Sequence, residues 1–215
     1  MATKVDIDQT NISAGQQKEF WRLATILGTH VNRTTFQAYL EGRNPFEKDT
    51  RIEFTVTGTG LTAVAWISTL KSAGHEIGEW ARDLLSKPDY DAKHRLEAGK
   101  EYKVVLVRGT EIARGHDCTT ENLKAAAIKE FGEQSVSGLK SELALLIRMK
   151  FSSAELEQMG LRYIVVLHEP IVDSRGESRV LCSDCLDGKS WVFADFGRPS
   201  RSWNDGGAFA FLAGE

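Results

Sequence analysis

Cysteine is scarce in this chain, with three copies among 215 residues. A small and odd number of cysteines excludes the framework of several disulfides that staples small secreted domains. Long apolar runs are also absent, since no stretch approaches the roughly 20 residues that cross a bilayer. The polar N-terminus, Met1–Asp6, lacks the apolar core of a signal peptide. We therefore expect a soluble, cytoplasmic protein that makes no contact with a membrane.

An excess of positive charge is missing as well. The chain has 27 Lys and Arg against 30 Asp and Glu, which gives a net charge of −3. Proteins that bind nucleic acid by neutralising phosphates carry a basic excess or a basic face. The densest positive stretch here contains Arg198 and Arg201, and Asp195 and Asp205 flank it. The sequence therefore gives no evidence for a nucleic-acid partner.

The common catalytic motifs are incomplete. The loop formed by residues 58–60, Gly-Thr-Gly, lacks the Gly-Lys-Ser/Thr of a phosphate-binding loop and the third glycine of a dinucleotide fingerprint. Residues 195–197, Asp-Phe-Gly, match a kinase tripeptide without the kinase catalytic loop or Gly-rich loop, and no serine occupies a Gly-x-Ser-x-Gly elbow. No motif in the chain therefore identifies an enzyme class.

The composition and the apolar spacing predict an α+β fold. Hydrophobic residues make up 41% of the chain and charged residues 27%, as in ordinary globular domains. A capping box at Ser13–Gln16 precedes apolar residues at helical spacing, a second box follows at Thr34–Gln37, and a third at Ser152–Glu155 begins a short helix. We predict a helical hairpin in residues 1–46 and an α+β domain in residues 47–215, with one continuous unit as the alternative.

The middle of the α+β domain reads as strand, helix, strand. Apolar and polar residues alternate over 51–57, which predicts a half-buried strand, and helices are expected over 61–70 and 77–85. The next strand covers Tyr102–Val107. Two strands with helices between them favour a crossover, hence a parallel pair. Thr119 can cap a helix that runs to Phe131.

Short strands dominate the last quarter of the chain. We predict them around residues 163–167, 180–182, 191–196 and 209–212. Asp-Gly turns separate the last three, a pattern typical of an antiparallel β-meander. We expect this meander to pack on helices over one of its faces.

The positions of the three cysteines permit a zinc site. The candidate ligands are His116, Cys118, Cys182 and Cys185, a set that would give closed, structural Cys3His coordination. A single Cys-x-x-Cys pair is a weak signal, and buried free cysteine commonly acts as a small apolar residue. We assign no cofactor and keep a structural zinc ion as the alternative to plain packing.

A catalytic site is a second alternative. His168 and Glu169 follow an apolar strand, and histidine beside a carboxylate can act as an acid or base near neutral pH. Adjacent strand residues point to opposite sides of a sheet, however, so these two side chains would not meet. An enzyme would have to bring them together with His116 and Cys118.

Aromatic residues crowd the C-terminal strands. The members are Trp191, Phe193, Phe196, Trp203, Phe209 and Phe211. Arg and Trp dominate the energetics of protein interfaces, and part of such a sheet can stay exposed even when the rest is core. We therefore expect a non-catalytic interaction module that contacts a protein partner through Trp191, Arg198, Arg201 and Trp203.

Overall fold

The chain divides into two compact units, residues 1–50 and residues 51–215. The computed structural model describes Lys18, which is helical, and residues 51–112, 118–186, 188–204 and 207–213. The helical hairpin expected in residues 1–46 therefore lies outside the described residues, apart from Lys18. The following paragraphs concern the second unit alone.

Helices and strands both contribute to this unit, which confirms the α+β class. The strands are β1 (Ile52–Thr57), β2 (Glu76–Ile77), β3 (Glu101–Arg108), β4 (Tyr163–Val166), β5 (Ile171–Val172), β6 (Ser178–Leu186), β7 (Lys189–Phe196) and β8 (Ala208–Leu212). The helices within the described ranges are α1 (Ala63–Ser72), α2 (Glu79–Leu85), α3 (Pro88–Lys93), α4 (Gly109–Ile112), α5 (Thr120–Phe131), α6 (Gln134–Ser137), α7 (Glu142–Lys150) and α8 (Ser153–Gln158). None of these helices is long and apolar enough to cross a bilayer.

All the strands belong to one mixed sheet in the order β1-β3-β8-β4-β6-β7-β2, with β5 paired to β6. The expected parallel pairing of the first strand with Tyr102–Val107 is wrong, because β1 and β3 pair antiparallel. The reason lies in β2, a strand that the helical spacing around Ile77 concealed. It pairs with β7 at the opposite edge of the sheet. The connecting segment therefore crosses the whole sheet and returns, so that β3 runs against β1.

The four C-terminal strands are confirmed, but their order is not a simple meander. β6 and β7 form the expected hairpin, and β4 pairs antiparallel with β6. β8 instead lies between β3 and β4, antiparallel to the first and parallel to the second. Its four residues Ala208–Phe211 are at most 1% exposed. A strand this apolar is most stable where neighbours cover both of its edges and both of its faces.

Helices cover both faces of the sheet, not one as expected. Val104 and Leu106 of β3 share a face with Ser183, whose Oγ donates to the Ala144 carbonyl oxygen of α7 at 2.9 Å. We call this the α7 face. Val105 and Val107 point to the other side, the α5 face, where the rings of Phe131 and Phe211 stack at 6.5 Å. The four β3 residues are at most 1% exposed, so the centre of the sheet is core on both sides.

A buried carboxylate joins α7 to two loops. Glu142, the first residue of α7, is fully buried. Its Oε1 accepts hydrogen bonds from the Thr59 N–H at 3.0 Å, the Thr59 hydroxyl at 2.5 Å and the Gly60 N–H at 3.1 Å. Its Oε2 accepts from the Leu96 N–H at 2.6 Å. Four donors therefore compensate the burial of one negative charge.

The glycines around Thr59 make this arrangement possible. Gly60 has a φ of 62°, which favours glycine. A Cβ on Gly58 would lie 2.3 Å from the Glu97 carbonyl oxygen. The loop that resembles a phosphate-binding turn thus binds an anion after all, and that anion is the protein's own Glu142.

Two capping signals in the sequence are confirmed, whereas the boxes at Ser13–Gln16 and Thr34–Gln37 lie outside the described residues. Thr119 caps α5 by accepting from the Asn122 N–H. Ser152 and Glu155 form a complete capping box at the start of α8. These two helix starts depend on residues within one turn, which explains why the sequence alone predicts them.

Replacing Glu142 by Gln tests the importance of the buried carboxylate. An amide offers an N–H2 group to N–H donors that need an acceptor, so we expect the free energy of unfolding to fall by about 3 kcal/mol. Urea denaturation followed by circular dichroism measures this loss. Glu133→Gln, a substitution of an exposed residue next to α6, serves as the control. Equal stability of the two variants would show that Glu142 is not a structural anchor.

Candidate functional site

Three arginines and two aromatic rings alternate in one stack beside β7. The Arg175 guanidinium lies 4.5 Å from the centre of the Trp80 ring, and the Arg179 guanidinium lies 4.4 Å from it. Arg179 lies equally close, 4.4 Å, to the Phe196 ring, and Arg198 follows at 5.0 Å. We call these five residues the arginine–aromatic stack. Each contact is a cation–π interaction of about 0.5–2 kcal/mol.

Two strands, one helix and two adjoining loop segments bring the stack together. Arg179 on β6 and Phe196 on β7 are cross-strand partners, so their side chains share the α7 face. Trp80 lies in the first turn of α2, which packs against β7. Arg175 belongs to the turn between β5 and β6, and Arg198 follows the end of β7. The stack therefore depends on the register of the hairpin and on the position of α2.

Asp173 holds the centre of the stack in place. Its Oδ2 accepts from Arg179 Nε at 2.5 Å, and its Oδ1 accepts from the backbone N–H groups of Arg175 at 2.8 Å and Glu177 at 2.9 Å. Burial alone would raise the pKa of Asp173, but the hydrogen bonds from Arg179 and from the two backbone groups lower this pKa to about 2. The carboxylate is consequently ionised at every physiological pH.

A second contact fixes the turn against α2. Asp83 accepts from the Ser174 N–H at 2.7 Å and from the Ser174 hydroxyl at 2.6 Å. These hydrogen bonds, with Lys87 beside them, lower the pKa of Asp83. Ser174 precedes Arg175, and Asp83 lies on the same helix as Trp80. These hydrogen bonds therefore keep Arg175 at a defined distance from Trp80.

The two ends of the stack face solvent. Arg175 and Arg198 are exposed, Trp80 and Phe196 are half-buried, and Arg179 is 7% exposed. Arg198 pairs with Glu177, whereas no acidic side chain within the described residues forms an ion pair with Arg175. The stack presents a free guanidinium next to an aromatic ring, an arrangement suited to a carboxylate or aromatic group of a partner.

The predicted contact residues are divided between the two faces of β7. Arg198 belongs to the stack, but Trp191 and Phe193 point to the α5 face, where their rings stack at 4.9 Å. Arg201 pairs with Asp195 on that face at 3.0 Å. Trp203 is 6% exposed, and its Nε1 donates to Thr120 Oγ1 at 2.8 Å. Trp203 therefore supports the core, while the other three lie at or near the surface.

Three members of the stack escape sequence reasoning. Trp80 looks like an ordinary residue of an amphipathic helix, and Arg175 like an ordinary turn residue. Arg179 belongs to the stack only because the strand register places it opposite Phe196. The signal available in the sequence was the density of Arg around the C-terminal aromatics, which indicated Arg198 but not its neighbours.

The structure describes three of the four candidate zinc ligands, Cys118, Cys182 and Cys185. His116 lies outside the described residues. Cys182 and Cys185 are three residues apart on the continuous strand β6, so their side chains point to opposite faces. Cys118 and Cys182 are buried, and Cys185 is half-buried. No three His, Cys, Asp or Glu side chains converge as metal ligands in the part of the chain that is described.

His168 serves the backbone. Its Nε2 accepts from the Leu181 N–H at 2.9 Å, and its Nδ1 lies 2.6 Å from the Glu169 carbonyl oxygen, to which it can donate. Burial lowers the pKa of His168 to about 3, although the Glu169 hydrogen bond acts in the opposite direction. The Glu169 side chain is exposed while His168 is fully buried, as expected for neighbours at a strand end. Both imidazole nitrogens are therefore engaged in hydrogen bonds, and the imidazole ring is uncharged at pH 7.

Comparisons with known proteins yield no match to any family model, curated protein or solved structure.

Acidification tests the role of Asp173. Because its pKa is depressed in the folded protein, its stabilising effect is complete above about pH 4 and is lost as the pH falls through about 2. We expect Asp173→Asn to lower the melting temperature at neutral pH, and this difference from the wild type to vanish near pH 2. Melting curves at several pH values measure it, with the exposed Asp89→Asn as control. A difference that persists at pH 2 would contradict this role.

The His168 interactions predict a second pH dependence. The unfolded chain binds a proton at this residue near pH 6.5, but the folded chain binds it only near pH 3. Stability therefore falls as the pH is lowered between these values. His168→Gln keeps an acceptor and a donor but removes the titration, so the slope of unfolding free energy against pH should decrease by up to about 1.4 kcal/mol per pH unit. An unchanged slope in denaturant titrations would refute this assignment.

Proposed function

We propose that the protein is a non-catalytic interaction module that docks on another protein through its C-terminal sheet. The arginine–aromatic stack supports this proposal more than any other feature. Arg and Trp are the residues that contribute most often to interface hot spots. In the stack they are already aligned, so binding would cost little side-chain entropy.

The chemistry of the stack indicates the kind of group it would accept. Arg175 combines an exposed guanidinium, the Trp80 ring and no acidic neighbour at ion-pair distance within the described residues. A carboxylate of the partner can form two parallel hydrogen bonds with a guanidinium. At the other end of the stack, Arg198 already forms an ion pair with Glu177. We therefore assign the main contact to Arg175 and Trp80, and a supporting contact to Arg198.

The alternatives have weaker support. An enzyme with a site near His116, Cys118, His168 and Glu169 would need His168 to exchange protons, and its nitrogens are engaged by Leu181 and Glu169. A structural zinc protein would need Cys182 and Cys185 on one side of β6. Metal analysis of protein purified without chelator remains the direct test of zinc.

Charge reversal at Arg175 tests the interaction proposal. The immobilised full-length protein is incubated with lysate of the producing cell, and bound proteins are quantified by mass spectrometry. We expect Arg175→Glu to lower recovery of a specific partner about tenfold or more, since hot-spot residues contribute about 2 kcal/mol or more. Arg198→Glu should have a smaller effect.

Lys129→Glu provides the matched control, because Lys129 is an exposed cation on α5, far along the chain from the stack. Melting temperatures close to the wild type would show that both variants fold. Identical sets and amounts of bound proteins for Arg175→Glu, Lys129→Glu and the wild type would refute docking through the stack.

A further inference from the structure

The edge of the sheet opposite to β2 is unpaired among the described strands. β1 is the terminal strand there and pairs only with β3 among the described strands. The Gly58 N–H donates to the Lys100 carbonyl oxygen at 2.8 Å, and the Ala213 N–H donates to the Lys103 carbonyl oxygen at 2.9 Å. Hydrogen bonding alternates along antiparallel strands. These two bonds therefore place the backbone groups of Phe54 and Val56 towards β3.

The intervening residues of β1 point their backbone groups outward. Glu53, Thr55 and Thr57 are exposed, and each presents one N–H and one C=O away from β3. At the opposite edge, by contrast, outward-pointing backbone groups form hydrogen bonds within the protein. There the Gly78 N–H donates to the Val192 carbonyl oxygen at 2.9 Å, and the Asp195 side chain accepts from the Phe196 N–H at 2.6 Å. The β7 edge is thus largely closed, while β1 offers three residues in register.

A depression of about 900 Å³ adjoins the β1 edge on the α5 face. Thr55 and its cross-strand partner Lys103 form one side of it. Phe131 supplies apolar surface, and the charged or polar residues Glu101, Glu133 and Gln134 complete the lining. Arg51 stands 5.7 Å from the Phe131 ring and pairs with Glu130, which holds this end of α5 next to β1. The lining is therefore mixed, and the volume leaves room for a bulky side chain that packs on the Phe131 ring.

We propose that β1 is a docking edge for an extended peptide of another protein, which adds an antiparallel strand and places a bulky apolar side chain in this depression. Main-chain hydrogen bonds supply affinity in such complexes, and pockets for alternate side chains supply specificity. The peptide residue opposite Thr55 lies on the same face as Thr55, so its side chain reaches the depression. This inference does not depend on the arginine–aromatic stack, which begins at β6 and is separated from β1 by the three strands β3, β8 and β4.

Charge defines a second position of the peptide. Glu53 is exposed, has no ion-pair partner within the described residues, and lies opposite the apolar Val105 on β3. Opposite charges across neighbouring strands are favourable. A basic residue two positions after the apolar one would face Glu53. The preferred peptide therefore carries the pattern bulky apolar, any residue, Lys or Arg.

A second copy of this chain fits the edge less well. Two β1 strands paired about Thr55 would place only Glu53, Thr55 and Thr57 on the α5 face, and none of these is a bulky apolar residue that could pack on the Phe131 ring. The edge of six residues is also only about 20 Å long. Strand pairing of this length alone would fall well short of the about 1,200 Å² that stable interfaces bury.

The test uses a synthetic peptide and the isotope-labelled full-length protein. The probe is acetyl-Ser-Val-Thr-Leu-Thr-Lys-Val-Ser-amide, with its leucine meant for the position opposite Thr55. We expect saturable shifts of the Glu53, Thr55 and Thr57 amide resonances, together with slower hydrogen exchange of these three amides. Replacing the leucine by alanine should weaken binding about tenfold. Glu53→Lys should weaken it as well and restore affinity for a peptide with Glu in place of Lys.

N-methylation of the peptide separates strand addition from other modes of binding without altering the protein. A methyl group on the leucine nitrogen removes the N–H that would donate to the Thr55 carbonyl oxygen, so binding should be lost. The same change on the following threonine, whose N–H points away, should leave affinity unchanged. Equal effects of the two methylations, or no saturable binding, would overturn the proposal. Concentration-dependent shifts of the β1 amides without peptide would overturn it in favour of self-association.

Discussion

The burial of one carboxylate constrains the whole second unit. Glu142 carries its charge into the interior, and no lysine or arginine of the described residues forms an ion pair with it; four neutral donors from two loops compensate instead. Those donors fix the turn after β1 and the segment before β3 against the start of α7. Since α7 packs against β4, β6 and β7, the loops at one side of the sheet and the strands at the other are positioned by the same helix.

The same helix stabilises the sheet through a second buried charge. Arg148 is fully buried and donates to the carbonyl oxygens of Asp184 on β6 and Phe151 at the end of α7. Burial lowers the pKa of Arg148, which the nearby Cys185 and Asp184 partly oppose. α7 is thus anchored at both ends against the hairpin of β6 and β7, whose two faces differ. One carries the arginine–aromatic stack, and the other carries Trp191 and the Asp195–Arg201 pair.

Short-range chemistry was predictable and long-range pairing was not. The caps at Thr119 and Ser152 and the C-terminal strands follow from residues within a few positions of each other. The antiparallel pairing of β1 with β3 depends on β2, whose two residues carry too little pattern to be recognised. Arg179 could not be placed next to Trp80 and Phe196, because register and helix position are properties of the assembled sheet. Cys182 and Cys185 illustrate the same limit, since they lie on one continuous strand and not in the tight turn that the Cys-x-x-Cys spacing suggested.

The insertion of β8 has a consequence for the order in which the chain can fold. β3 and β4 are both complete long before residue 208, yet each has β8 as a neighbour in the finished sheet. During synthesis on the ribosome, β1 and β3 form one half of the sheet, and β4, β6 and β7 form the other. The two halves can join only after the five residues of β8 have been synthesised. Until then each half exposes a strand edge of apolar residues, the situation in which nascent chains associate with chaperones or with one another.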